Sequence, residues 1–230
     1  MLRRLGAVPV VVAGLVLTPL TSTPANAVPT QADGGTTVTQ ATVTTAAADC
    51  KYTPTSVALK GRPKALKFSV PDAADWNVRI PDAKVDAAPG RRVKTFYAKD
   101  FKNSDAGLHQ ATVVRGKESC ASTFRLMRGS LVTLLITHKH PYRFVGGSVQ
   151  RFNLGPDGGR SILPGARVAI QRHTKEGWVT HRVLTTNKKG VFVTRLKIGK
   201  RTWRAVFNST STTQGSTSRI ARDETEFNDL

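Results

Sequence analysis

From Cys50 onward the apolar residues recur at every second position, and that period of two constrains the fold more than any other feature of the chain. Val57 and Leu59 flank Ala58; Leu66, Phe68 and Val70 alternate with Lys67 and Ser69; Trp76, Val78 and Ile80 alternate with Asn77 and Arg79. A strand turns successive side chains to opposite faces, so such runs bury one face and wet the other. Val93 with Phe96, and residues 112–114, continue the pattern; Gly116 supplies a turn, and Phe124 and Leu126 alternate with Arg125. Pro71-Asp72, Pro81-Asp82 and Pro89-Gly90 fall between the runs, where proline's fixed φ and glycine's freedom make turns. No stretch joins a cap, a helical period and a long run of good helix formers. The expectation is an all-β chain built from short-stranded sandwiches.

The pattern divides in two. Residues 49–128 form one expected domain, and 129–222 repeat the logic with runs at 131–137, 148–152, 167–171, 178–184 and 191–198. The last two are expected to form a hairpin across Asn187-Lys188-Lys189-Gly190. Trp203, Ala205 and Phe207 then alternate with Arg204 and Val206, and residues 223–230 make an acidic tail.

The first 27 residues read as an export signal. Arg3 and Arg4 precede an apolar run over 8–17, and Ala25-Asn26-Ala27 is a small-x-small cleavage site. The run is short for a membrane span, the alternative being an uncleaved anchor, and no lipobox cysteine occurs because the first cysteine is Cys50. Residues 28–48 are a low-complexity linker of Thr, Ala, Gln, Val and Gly, in which 36–43 has edge-strand composition. No second apolar run follows, so the mature product is expected outside the cell, free of an integral span. In an oxidising space Cys50 and Cys120 are most simply one intrachain bridge, closing a loop of about 70 residues for about 4 kcal/mol. The alternatives are two free thiols or an intermolecular pair.

A resemblance covers residues 129–220. Gly146-Gly147-Ser148-Val149-Gln150-Arg151 matches a Gly-x-Val opening strand. Residues 164–172, from Pro164-Gly165 to Gln171-Arg172, match a "Pro-Gly-x-x-Val-x-Leu-Gln-Arg" strand, with Ile170 in place of Leu. Gly177-Trp178-Val179, Thr186-Asn187-Lys188-Lys189-Gly190-Val191-Phe192 and Thr202-Trp203-Arg204-Ala205-Val206-Phe207 complete the set. This half resembles an immunoglobulin-like β-sandwich module that recurs, often in tandem, in secreted actinobacterial proteins of unassigned function. The resemblance implies two immunoglobulin-like sandwiches in tandem and an extracellular location. The first half is similar only to the looser units that precede the module, since Trp76 follows Cys50 by too many residues to pack on a bridge as in antibody domains.

Composition then narrows the chemistry. Lys plus Arg number 35 against 15 Asp plus Glu, a formal charge of +20, of which Arg3 and Arg4 would leave with the signal. Two cysteines exclude a four-cysteine zinc site, and the acid deficit argues against calcium cages. There is no phosphate loop, dinucleotide fingerprint or Gly-x-Ser-x-Gly elbow, so no catalytic residue, metal ligand or cofactor is assigned. His138 and His140 share a strand face, but Lys139 and Arg143 beside them would repel a metal, and their role stays open. His173 and His181 fall on one expected hairpin, positioned to face each other, while His109 has no partner that sequence identifies. Asp72, Asp75, Asp82 and Asp86 lie by prolines, where turns need them, and Asp157-Gly158-Gly159 is read as a turn.

The excess charge is the strongest chemical feature. Lys60, Arg62, Lys64 and Lys67 cluster early, followed by Arg91, Arg92 and Lys94. Arg195, Lys197, Lys200, Arg201 and Arg204 crowd one late hairpin with Trp203, and Lys139, Tyr142 and Arg143 adjoin Phe144. Cations interleaved with aromatics grip a polyanion by charge and stacking, and these nine residues other than Phe144 (Arg195, Lys197, Lys200, Arg201, Trp203, Arg204, Lys139, Tyr142, Arg143) are the candidate contact set. The competing reading is that charge only solubilises the protein. The expected function is a secreted, non-enzymatic protein binding an anionic cell-wall polymer or other polyanion; the alternatives are a spacer module, or a protease inhibitor or hydrolase using an exposed loop at 139–144.

Overall fold

Strands form where the alternation is regular. The computed structural model describes residues 51–139, 142–196 and 201–223, without the side chains of His138, Lys139 and Asp223. The expected signal, linker and Cys50 therefore lie outside the described residues, as do His140, Lys197, Lys200 and residues 224–230 of the tail. The first strands are β1 (Ser56–Leu59), β2 (Lys64–Lys67), β3 (Trp76–Ile80), β4 (Val85–Ala87), β5 (Val93–Phe96), β6 (Gly107–Arg115) and β7 (Glu118–Arg128). They are followed by β8 (Ser130–Val132), β9 (Leu135–Lys139), β10 (Tyr142–Phe152), β11 (Arg160–Ile162), β12 (Arg167–Thr174) and β13 (Gly177–Thr185). Last come β14 (Val191–Leu196), β15 (Arg201–Phe207), β16 (Ser216–Thr217) and β17 (Ala221–Asp223). The described helical segments are short 3₁₀ turns, such as Pro81–Ala83 and Asn103–Asp105, so the chain is all-β. No helix among the described residues is long and apolar enough to cross a membrane.

β7 and β6 turn back on each other at Gly116 and centre a five-stranded sheet of order β1-β7-β6-β3-β4, in which β1 alone of these pairings runs parallel to its neighbour. A two-stranded ladder, β2 with β5, forms the opposing layer. Val57, Leu59, Val78, Ile80, Phe124 and Leu126 of the large sheet meet Phe68 and Phe96 in one buried cluster. Its aromatic spine runs from Tyr52 to Phe68 (6.5 Å between centroids), to Phe124 (6.2 Å) and on to Phe96 (5.9 Å). The expected 66–70 strand is split: its ladder with β5 ends at Lys67, Ser69 bridges instead to Thr53, and Phe68 and Val70 are buried. β4, between two proline turns, escaped sequence reading because its three residues are too few to declare a period.

In the second half β10 is the hub, pairing with β8 and β9 along one side and with β11 and β14 along the other. The expected single strand 131–137 is broken into β8 and β9, because Thr133 accepts from Ser148 N through its hydroxyl (2.9 Å) and presses its carbonyl on Gly147. The facing sheet has the order β13-β12-β15, with β16 and β17 beyond β15. Val145, Val149, Phe192 and Leu196 of the first sheet pack on Val168, Ile170, Trp203, Ala205 and Phe207 of the second, which makes this half a sandwich with its own buried cluster.

The Asn187–Gly190 turn forms as expected, with Asn187 Oδ1 accepting from Lys189 N (2.9 Å) and Val191 N (3.1 Å), and Gly190 at φ 69°. Its strands do not form the expected hairpin. β13 pairs with β12 while β14 crosses to β10, because Phe192, Thr194 and Leu196 on alternate positions bury against the opposite layer. The expected late hairpin of 195–204 fails for the same reason: β14 belongs to the β10 sheet and β15 to the β12 sheet.

The two clusters sit within one compact unit, which includes all described residues. The chain passes between them at Arg128-Gly129. Buried Arg128 donates from Nε to Phe152 O (2.8 Å) and from Nη2 to Asn153 Oδ1 (2.6 Å) and Ser161 Oγ (3.1 Å). Burial, with the charge of Arg151, lowers its pKa to about 10. Leu154, though carried by the second half, is buried in the first cluster.

Candidate anion-binding surface

The outer face of the β13-β12-β15 sheet organises an arginine. Gln171 stands opposite Arg204 on β15 and opposite Thr180 on β13. Arg204 Nε donates to Gln171 Oε1 (2.8 Å), and Gln171 Nε2 donates to Thr180 Oγ1 (3.2 Å). The guanidinium lies 4.3 Å from the centroid of the Trp178 ring, and the His173 ring meets that indole edge-on at 5.1 Å. Stacking and one Nε bond fix the guanidinium plane and leave its two Nη groups for an outside acceptor. A second such pair lies on the β10-β14 face, where Arg195 sits 4.2 Å from the Tyr142 ring, both exposed. Exposed Leu135 and Val193 flank Gly146 on that same sheet.

The expected contact set is thus dispersed. Arg195 with Tyr142 and Arg204 with Trp178 occupy different sheets, and exposed Arg201 lies three residues before Arg204 on β15. Trp203 is 3% exposed and Arg143 is 2% exposed, so both are buried in the sandwich and neither presents a ring or guanidinium face on the outer surface. Lys139 is placed on β9 opposite Tyr142 on β10, so the described residues of 139–144 belong to paired strands, and residues 140 and 141 lie outside the described residues. Lys197 and Lys200 lie outside the described residues. The expected contact set lacked Trp178 and Gln171, although the Gly-Trp turn and the Gln-Arg end of the matched strand marked both.

The histidines and acids find separate partners. His173 and His181 do not face each other, since His173 is opposite Trp178 and His181 is the extra residue where the β12–β13 register shifts. His181 instead meets Trp203 edge-on at 5.4 Å. His109 is held between Asp105 O (2.7 Å) and Asp82 Oδ2 (3.3 Å). Asp86 accepts from Asn77 Nδ2 and Arg91 Nη2 (2.9 Å each), with Arg79 at 3.7 Å. The Asn77 bond first, then the two guanidiniums, hold its carboxyl below the usual range against some desolvation. Among the described residues no three His, Cys, Asp or Glu side chains gather as a metal site. Cys120 is partly buried against the first cluster, and no described cysteine is a free thiol. A separate cavity of 590 Å³ between the Pro164-Gly165 turn and Phe207 to Thr210 has Arg167 at its lining.

No family model and no curated protein matches this chain. Among solved structures, the human OSCAR ligand-binding domain is 10% identical, with a TM-score of 0.31, covering 75% of this chain and 95% of its own. The D00-D0 domain of Intimin is 6% identical at a TM-score of 0.30, covering 73% of this chain and 94% of its own. An apo Bacteroides uniformis beta-glucuronidase 3 is 11% identical at 0.24, and there the match covers 73% of this chain but 23% of the enzyme.

Proposed function

We propose that the chain is an exported, non-enzymatic binding protein of two immunoglobulin-like sandwiches, akin to the secreted actinobacterial modules, that grips an anionic polymer of the cell envelope. The amino-terminal leader supports export, and in the oxidising space it leads to, Cys50 and Cys120 form one bridge that staples the first sandwich. The observation that carries the reading is the Trp178–Arg204–Gln171 arrangement, in which a guanidinium is stacked and oriented with its outer edge uncommitted. Arg195 on Tyr142 is a second example. A cation used only for solubility needs no such support, whereas one that docks an oxyanion loses less freedom when its plane is already set.

Binding of this kind releases counterions from the polymer, so its strength falls as salt rises. Retention of the mature chain on poly(glycerol phosphate) is expected at low salt and is expected to collapse by moderate salt. Arg204→Gln combined with Arg195→Gln should weaken low-salt retention about tenfold or more, as two charge-assisted contacts are lost. Retention that ignores salt, or none at low salt, would remove the reading.

A further inference from the structure

The inner faces of three strands of the second sandwich end in cations. On β12 the inward row Val168, Ile170 continues to Arg172, and on β15 the row Phe207, Ala205, Trp203 continues to Arg201. Arg172 stands directly opposite Trp203. The register shift in β13 leaves His181 unpaired between Thr180 and Arg182, and both residues are exposed. The His181 ring lies edge-on to Trp203, and Arg182 Nη1 donates to Thr194 Oγ1 of the facing sheet (2.8 Å). Arg172, Arg182 and Arg201 thus fall at the same end of these strands as the His181–Trp203 contact.

The cost of this grouping is visible in the imidazole. Partial loss of water, then the charges of Arg172, Arg182 and Arg201, hold His181 below the ordinary histidine value of 6.5. The ion pairs among the described residues lie elsewhere, at Asp86 and Asp82. On β17 Asp223 is the register partner of Arg201. Beneath the rim, Trp203 Nε1 is buried and has no hydrogen-bond acceptor. Like charges grouped around a spare buried donor are stable company for an anion that supplies several acceptors at once.

We infer that this rim is an oxyanion site for a phosphoryl group, in which Arg172, Arg182 and Arg201 supply the charge and Trp203 Nε1–H a hydrogen bond. Three guanidinium forks match the several oxygens of a multiply charged phosphoryl group better than a single carboxylate. The inference takes its ligand class from the polyanion reading above but uses different residues. The phosphoryl group belongs either to a free polyphosphate or to the phosphodiester of a polymer, and separate titrations tell these apart.

The test titrates the full mature chain with inorganic tripolyphosphate at fixed moderate salt, by calorimetry and by NMR of the indole N–H resonances. Saturable binding that shifts the Trp203 resonance is expected. Arg172→Gln and Arg201→Gln should each weaken it about tenfold or more, while Arg62→Gln, an exposed cation of the first half, stays within about twofold. Unchanged melting temperatures will show that each variant is folded. An unmoved Trp203 resonance at saturation, or equal losses from Arg62→Gln and Arg201→Gln, overturns the site. A parallel titration with poly(glycerol phosphate) separates the two readings. Salt-dependent polymer binding with no Trp203 response leaves the envelope reading standing and removes this site. A Trp203 response to tripolyphosphate without polymer binding does the reverse, and assigns the site to free polyphosphate.

Discussion

Tyr52 shows how one side chain carries pH information through burial. Its hydroxyl donates to Thr123 O (2.9 Å) at the end of the aromatic spine, and burial pushes its pKa from 10.0 up to about 12. A folded value above the unfolded one means that stability is fully present below about pH 10 and is lost as pH climbs toward about 12. Denaturant unfolding over a pH series is expected to show that loss, with one of the three tyrosines ionising late in an absorbance titration. Tyr52→Phe should abolish the late phenolate and flatten the alkaline slope, at a cost of about 1 kcal/mol at neutral pH. A tyrosine's hydrogen-bond partner was not legible in the sequence, because Thr123 is brought to it by tertiary packing. His109 teaches the same lesson: its partners Asp82 and Asp105 lie on two different 3₁₀ turns. Trp203 was legible as an inward residue by its alternation with Arg204, and the same alternation argues against an exposed contact role.

At the scale of elements, periodicity located strands well and chose their partners poorly. β3, β7 and β15 follow the alternation, and the Gly116 turn joins β6 to β7 as expected. Pairing between β13 and β14 was expected from a good turn at Asn187–Gly190, but turn chemistry is local whereas sheet membership is decided by what each inner row buries. The break between β8 and β9 has a similar origin, in a contact fifteen residues away. A Cβ on Gly147 would strike Thr133 O and come within 2.7 Å of the Phe192 ring. Gly147→Ala is therefore expected to cost about 1–3 kcal/mol in denaturant unfolding, since the neighbours include backbone and a packed ring. Gly107→Ala is the control: nothing lies within 4 Å of its Cβ, and an ordinary strand substitution there should be neutral or slightly stabilising.

For the whole molecule, the seam between the two clusters matters more than either half suggests. The chain was legible as two successive sets of strands, but the interlock was not, because Leu154 reads as an ordinary loop residue of the second set. Its burial in the first cluster, with Leu154 N donating to Asn103 Oδ1 (2.9 Å), ties the halves through packing and a hydrogen bond. Leu154→Ala is expected to cost about 2–5 kcal/mol and to lower one common melting transition seen by calorimetry. Two separated transitions, only one of them moved, would mean that the seam does not couple the halves. The parallel pairing of β1 with β7 adds a mechanical consequence. Ser56 lies beside Arg125 and Leu59 beside Arg128, so the chain enters β1 at one end of the pair and leaves β7 for the second half at the other. Tension drawn between those two points loads the β1–β7 hydrogen bonds in shear, all at once, rather than peeling them one by one, and the first sandwich meets a pull along the chain with its most resistant geometry.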